Sequence, residues 1–267
     1  ACCLILSCAV GTPAYADSLS DLKARLQQFE LGDSSSGAPK AEHSAVNLKA
    51  RVEFESWSRT GDDGKAKTSE AKVDALLEKN RDALKVSWSN DLLQKAEQER
   101  RAQSADSEKQ TPTRDALAEL TAIDLQKYVQ SANTIGELIE HATLLAETSD
   151  VIDGKTARLL DLKIDPNFSK KQTKYINEAK ATCKLWLDSD GMPIAAEQHL
   201  ELRGSFMVVI RFAHEQNDEY RYARIGNQLV TVSHAHRQKS SGAGEHFESR
   251  TITALRFDNA ELVSRVP

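Results

Sequence analysis

From Leu48 onward the hydrophobic positions fall on every second residue. Leu48, Ala50, Val52 and Phe54 alternate with Lys49, Arg51, Glu53 and Glu55, which predicts a strand with one face buried and one wet. After a turn at Gly61-Asp62-Asp63-Gly64 the same period returns in Val73, Ala75 and Leu77, and again in Leu84, Val86 and Trp88 beyond Glu78 to Asp82. Helix formers also populate Glu70 to Leu84, but the alternation selects a hairpin. Strands resume near Ala142: Asp153-Gly154 marks a tight hairpin before Arg158 to Ile164, and Asp190-Gly191-Met192-Pro193 turns Glu178 to Asp188 into Ile194 to Arg203. Ser205 to His214, Glu219 to Ile225, Gln228 to Lys239 and Glu245 to Phe257 complete the series.

Two regions carry the helical period instead. Ser18, followed three residues later by Asp21, precedes Leu19, Leu22, Leu26 and Phe29 at helical spacing, and Gly32 to Pro39 then reads as a flexible connector. Midway, Ser89-Asn90 opens a charged helix from Asp91 to about Ala102. Thr111-Pro112-Thr113 starts a further helical stretch carrying Leu117, Leu120, Ile123, Leu125, Tyr128 and Val129, and another runs from Asn133 through Ile139. Consecutive hairpins of this length form a meander that must curl to cover its apolar face. The expected fold is α+β: a strongly curved antiparallel sheet, an unclosed barrel of about ten strands, with helices covering the concave face. It forms one domain over 17–267, with a helical insertion at about 90–141.

The first sixteen residues change the setting. Ala1 to Ala16 is an uncharged apolar run ending in Ala14-Tyr15-Ala16, small residues suited to cleavage, and polar Asp17-Ser18 follows. It reads as a signal peptide, with Ala16 a better processing point than a lipid-attachment site at Cys8, and places the protein in the periplasm. No other stretch approaches the roughly 20 continuous apolar residues that cross a bilayer. The net charge of -5, with acids and bases interspersed, argues against nucleic acid as a partner. Cys2, Cys3 and Cys8 lie in the leader, so the mature chain keeps only Cys183, in the alternating run Ala181, Cys183, Leu185, Leu187; no internal disulfide is expected, and a small buried side chain is its role.

Two segments resemble those of a known family. Leu48-Lys49-Ala50-Arg51-Val52-Glu53-Phe54 is similar to the first strand of the lipoprotein carriers of the bacterial periplasm, the LolA/LolB-like half-barrels. Leu185-Trp186-Leu187-Asp188 followed by Gly191-Met192-Pro193 is similar to their hairpin that turns through a Gly-x-Pro step. The order of elements is similar over most of the mature chain. The resemblance implies an unclosed barrel lidded by helices, with an apolar cavity that shelters acyl chains; the same scaffold also serves envelope-stress regulators. This chain departs from the pattern at Glu55-Ser56, where the carriers are Gln-rich, and in its longer, more charged insertion.

The sharpest chemical signal is His234-Ala235-His236. On a strand both imidazoles share one face about 7 Å apart, a spacing that suits one metal ion, with a third ligand from His246, Glu248 or His214. The alternative is ordinary polar surface, and no metal or cofactor is assigned. Asp62-Asp63, Asp188/Asp190 and Asp218/Glu219 fall in expected turns, and turn chemistry accounts for them. No Gly-x-Ser-x-Gly elbow or phosphate loop occurs, so the chain is read as non-enzymatic. Lys170-Lys171-Gln172-Thr173-Lys174 is a basic loop between strands. The apolar faces carry the functional expectation: Val52, Phe54, Val86, Trp88, Leu185, Leu187, Phe206, Val208 and Ile210 line the concave side, either as a filled core or as a cavity for a lipid or acylated protein. An interaction or regulatory module with a solid core, engaging an envelope protein through the charged insertion, is the alternative, and a metal-dependent enzyme centred on His234 and His236 a third. The oligomeric state is not legible.

Overall fold

The computed structural model describes residues 15–31, 47–62, 65–80, 83–206, 210–226 and 228–257. All but the last two residues of the expected signal peptide, the connector at 32–39 and Val208 lie outside them. In chain order the elements are α1 (Tyr15–Leu31), β1 (Leu48–Thr60), β2 (Lys67–Lys79), β3 (Leu84–Ser87), α2 (Asn90–Ala105), α3 (Pro112–Ala118), α4 (Ala122–Val129), α5 (Ser131–Glu140), β4 (Ala142–Ile152), β5 (Lys155–Ile164), α6 (Lys170–Thr173), β6 (Ile176–Leu187), β7 (Pro193–Phe206), β8 (Ile210–Ile225), β9 (Gln228–Gly242) and β10 (Glu245–Phe257).

All ten strands form one antiparallel sheet in the order β3-β2-β1-β10-β9-β8-β7-β6-β5-β4. β3 and β4 are the two edges, so the sheet is not closed into a barrel. These edge strands are joined by the helical insertion, which carries the chain from one side of the sheet to the other across its inner face. Strand alternation then sorts the side chains. Val52 pairs in register with Ala75 and Leu255, and Phe54 with Val73 and Thr253, all on the inner face. Leu185 pairs with Leu160 and Ala196 on the same face.

The inner face is buried in two clusters. One joins β1, β2 and β10 to α3 and α4 through Val52, Phe54, Leu77, Leu120, Leu125 and Tyr128. The other joins β5, β6 and β7 to α1 and α5 through Leu22, Leu26, Ile135, Ile139, Leu160 and Leu185. A small third cluster, around Trp186 and Ala195, sits on the outer face; Trp186 Nε1 donates to Asp150 Oδ2 at 2.9 Å.

Local chemistry explains where the helices start. Ser89 caps α2 by accepting the Leu92 N–H, and Thr121 caps α4 by accepting the Asp124 N–H, each at 3.2 Å. The Glu99 carboxylate of α2 accepts the backbone N–H groups of Thr113 and Arg114 at the positive end of α3, at 2.8 and 3.1 Å. The helical stretch expected from Thr111 to Val129 is thus two helices, broken at 119–121 by the Thr121 cap. α1 is pinned by Ser18 Oγ donating to Glu147 at 2.6 Å and by a 2.8 Å Lys23–Glu140 ion pair.

One strand assignment is corrected. A turn was expected around Asp218, splitting Ser205 to His214 from Glu219 to Ile225. Instead β7 continues through Phe206, and β8 runs unbroken for 16 residues. Asp218 pairs with Gln198 on one side and His236 on the other. Polar side chains on both faces from Glu215 to Glu219 erase the apolar alternation, while the ladders on either side keep the backbone extended.

Candidate functional site

Where the lid ends, the inner face turns polar. His234 and His236 are two residues apart on β9 and Asp218 is opposite on β8, so the alternation of both strands sends all three side chains under the edge of α4. Asp218 is the focus. Its Oδ1 faces His234 Nε2 at 2.7 Å and His236 Nδ1 at 2.8 Å, and its Oδ2 accepts the Gln216 side-chain amide at 2.7 Å. The carboxylate is 5% exposed and His234 9%.

Second contacts fix the imidazoles. His234 Nδ1 faces the Tyr128 hydroxyl of α4 at 2.9 Å, and its ring stacks on Tyr220 with centroids 4.3 Å apart and planes 3° from parallel. Thr253 of β10, in register with His234, closes the same polar patch. A cavity of about 280 Å³ opens beside this cluster, walled by Asp124, Lys127 and Tyr128 of the lid and by Gln216, Asp218 and His236 of the sheet.

The electrostatics follow from burial against hydrogen bonding. Burial alone would raise the Asp218 carboxyl, but hydrogen bonds from His234, His236 and Gln216 outweigh it and hold the group well below the usual carboxylate range. The hydrogen bond to Asp218 raises His236 above an ordinary histidine. Burial pushes the Tyr128 hydroxyl up to about 12, so it stays protonated at neutral pH. Burial likewise pushes the Cys183 thiol up to about 12, leaving it a packing group.

The expected third ligands do not join the histidines. His246 and Glu248 fall on the opposite face of β10, where His246 lies 3.8 Å from Asp62 and Glu248 3.6 Å from Lys239. His214 is on the inner face but four residues along β8, opposite Ser240. Asp218 is the third group, and reading it as a turn residue concealed it. The register of the β8–β9 hairpin through Gly226 would by itself set Asp218 against Ala235; a bulge at Arg221/Tyr222 shifts the ladder so that Asp218 faces His236, and no local pattern in the sequence marks that shift.

The residues expected to line the concave face divide. Val52 and Phe54 are buried against α3 and α4, with Val86 and Trp88 half-buried beside them. Leu185 and Leu187 are buried in the α1–α5 cluster. Phe206 ends β7. Ile210 does not join them: it is 41% exposed at the start of β8, beyond the reach of the lid. The covered half of the inner face is therefore packed by helix side chains, and its continuation past the lid mixes half-exposed Leu200, Leu202 and Phe212 with Gln198, Gln216 and Gln238. A larger concavity, about 1120 Å³, is an open trough on the outer face, lined mainly by charged side chains such as the ion-paired Glu55 and Lys72. No helix among the described residues is long and apolar enough to cross a membrane.

No protein-family model matches this sequence. A search of curated proteins finds no match. Among solved structures the chain is similar to the crystal structure of a DUF1329 family protein from Desulfovibrio piger, with a TM-score of 0.31 and 11% sequence identity over 93% of this chain and 95% of that one. A likeness this low carries no functional weight.

Proposed function

We propose that the protein is a non-enzymatic binding protein of the bacterial periplasm that takes the acyl chain of a lipid or of an acylated protein against its concave face. The observation that carries this reading is the way that face is covered. A ten-stranded open sheet buries one apolar side under α1 and the separate helices of one crossover, not under a second sheet. Such a cover is removable in parts.

Magnitudes make the exchange feasible. Exposing Leu120, Leu125, Tyr128 and Val129 of the lid costs roughly 1.5–3 kcal/mol each. An acyl chain of about sixteen carbons gains roughly 0.8 kcal/mol per buried methylene, a comparable total. The ligand replaces the lid's side chains and needs no preformed void. The apolar run before Asp17 and the resemblance to lipoprotein carriers support the same reading and location.

The solid packing around Val52, Phe54, Leu185 and Leu187 favours a second reading, a protein-interaction module that presents the exposed, charged α2. Native mass spectrometry with a lipopeptide and its deacylated counterpart separates the two. The proposal predicts a one-to-one complex with the acylated form alone. Binding of neither form, or of both equally, overturns it, and equal binding supports the interaction module.

A further inference from the structure

We infer that Asp218, His234 and His236 form a binding site for one divalent transition-metal ion, held under the edge of α4. This goes beyond the acyl-chain reading and does not depend on it.

The donor set comes first. Two imidazole nitrogens and a carboxylate oxygen lie within 4.8 Å of one another, and both nitrogens point at one oxygen. Two histidines and one carboxylate with an open side is a set that zinc and similar borderline cations accept. At metal–ligand distances of about 2.0–2.1 Å, tetrahedral donors stand about 3.3 Å apart. The two N···O contacts, now 2.7 and 2.8 Å, lengthen by about half an ångström, and the two nitrogens, within 4.8 Å of each other, come to about the same 3.3 Å by side-chain rotation. The ion takes the place of the shared protons.

The surrounding shell is what distinguishes a built site from a chance cluster. A metal-bound histidine needs its other ring nitrogen held by an acceptor, and His234 Nδ1 has the Tyr128 hydroxyl at 2.9 Å. Tyr220 stacked on the ring prevents it from swinging away. Gln216 anchors Asp218 Oδ2 and leaves Oδ1 for the ion. The 280 Å³ cavity gives access and room for a water or an anionic ligand at the remaining position. Among the charged groups of the wall, Asp124 and Glu119 favour a cation and Lys127 opposes it.

The test uses the full chain, freed of metal with a chelator and then exposed at neutral pH to Zn²⁺ or to Co²⁺ as a spectroscopic probe. The expected result is one equivalent retained through gel filtration, with a Co²⁺ ligand-field spectrum of imidazole and carboxylate coordination. His236→Gln, at a half-buried position, should weaken binding at least about tenfold, and Tyr128→Phe, which removes an outer-shell partner, about 10–100-fold. Should His236→Gln unfold, Asp218→Asn and the histidine NMR signals of the wild type on adding Zn²⁺ give the same information: His234 and His236 must shift together. No stoichiometric binding, undiminished binding by folded His236→Gln, or Zn²⁺ shifts confined to His214 or to exposed His246 each overturn the site.

Discussion

Two aspartates show how far a residue can be read from its neighbours. Asp188 was expected to serve a turn, and it does: its Oδ1 accepts the Asp190 and Met192 N–H groups at 2.9 and 2.8 Å, while Gly191 supplies the positive φ and Arg25 of α1 donates to the Asp190 carbonyl. Asp218 received the same reading, and there it fails. Its histidine partners lie on the neighbouring strand β9, sixteen and eighteen positions away, beyond any local pattern. The spacing of His234 and His236 was legible because a strand's period of two fixes it; the third group was not. The two aspartates should therefore respond differently to alanine. In metal-free buffer Asp218→Ala leaves the buried His234 and the half-buried His236 without their acceptor and should cost about 3 kcal/mol. Asp188→Ala should cost less, about 1–2 kcal/mol, since the Asp190 N–H it frees is exposed and only the Met192 N–H is part-buried. Urea unfolding of both variants checks the ratio; equal losses would mean that the histidine–aspartate cluster adds nothing to the fold.

Among the elements, the strands were legible where one face is apolar and the other charged, as in β1 and the second half of β2. β8 was misread because Glu215 to Glu219 is polar on both faces. The insertion was legible as helical, with breaks before Thr111 and Asn133, but not the break at 119–121, although Thr121 followed three residues later by Asp124 is a capping pattern. Leu120 sits in the break between α3 and α4, 1% exposed, and holds both to the sheet. Leu120→Ala should destabilise the protein by about 2–5 kcal/mol. If an acyl chain displaces these helices, the same variant should bind the lipopeptide more tightly, by about tenfold for each 1.4 kcal/mol removed from the cost of displacement. Calorimetric titration of wild type and variant decides this. Weaker binding by a folded Leu120→Ala protein would mean that the lid is part of the binding surface.

At the scale of the whole molecule, a count of about ten antiparallel strands and helices over a concave face followed from consecutive hairpins and one helical interruption. The closing pairs did not. Nothing local indicates that β1 joins β10, or that the insertion links opposite edges, because those contacts join distant parts of the chain. That crossover makes the cover a separate layer: the sheet's backbone hydrogen bonds do not pass through α3 or α4, so these helices can lift while the strands stay paired. Hydrogen exchange of the backbone amides, with and without a saturating lipopeptide, tests this directly. The account predicts that the ligand speeds exchange in α3 and α4 while β1, β9 and β10 remain protected. Unchanged or slower exchange in the lid, with the ligand bound, would contradict it.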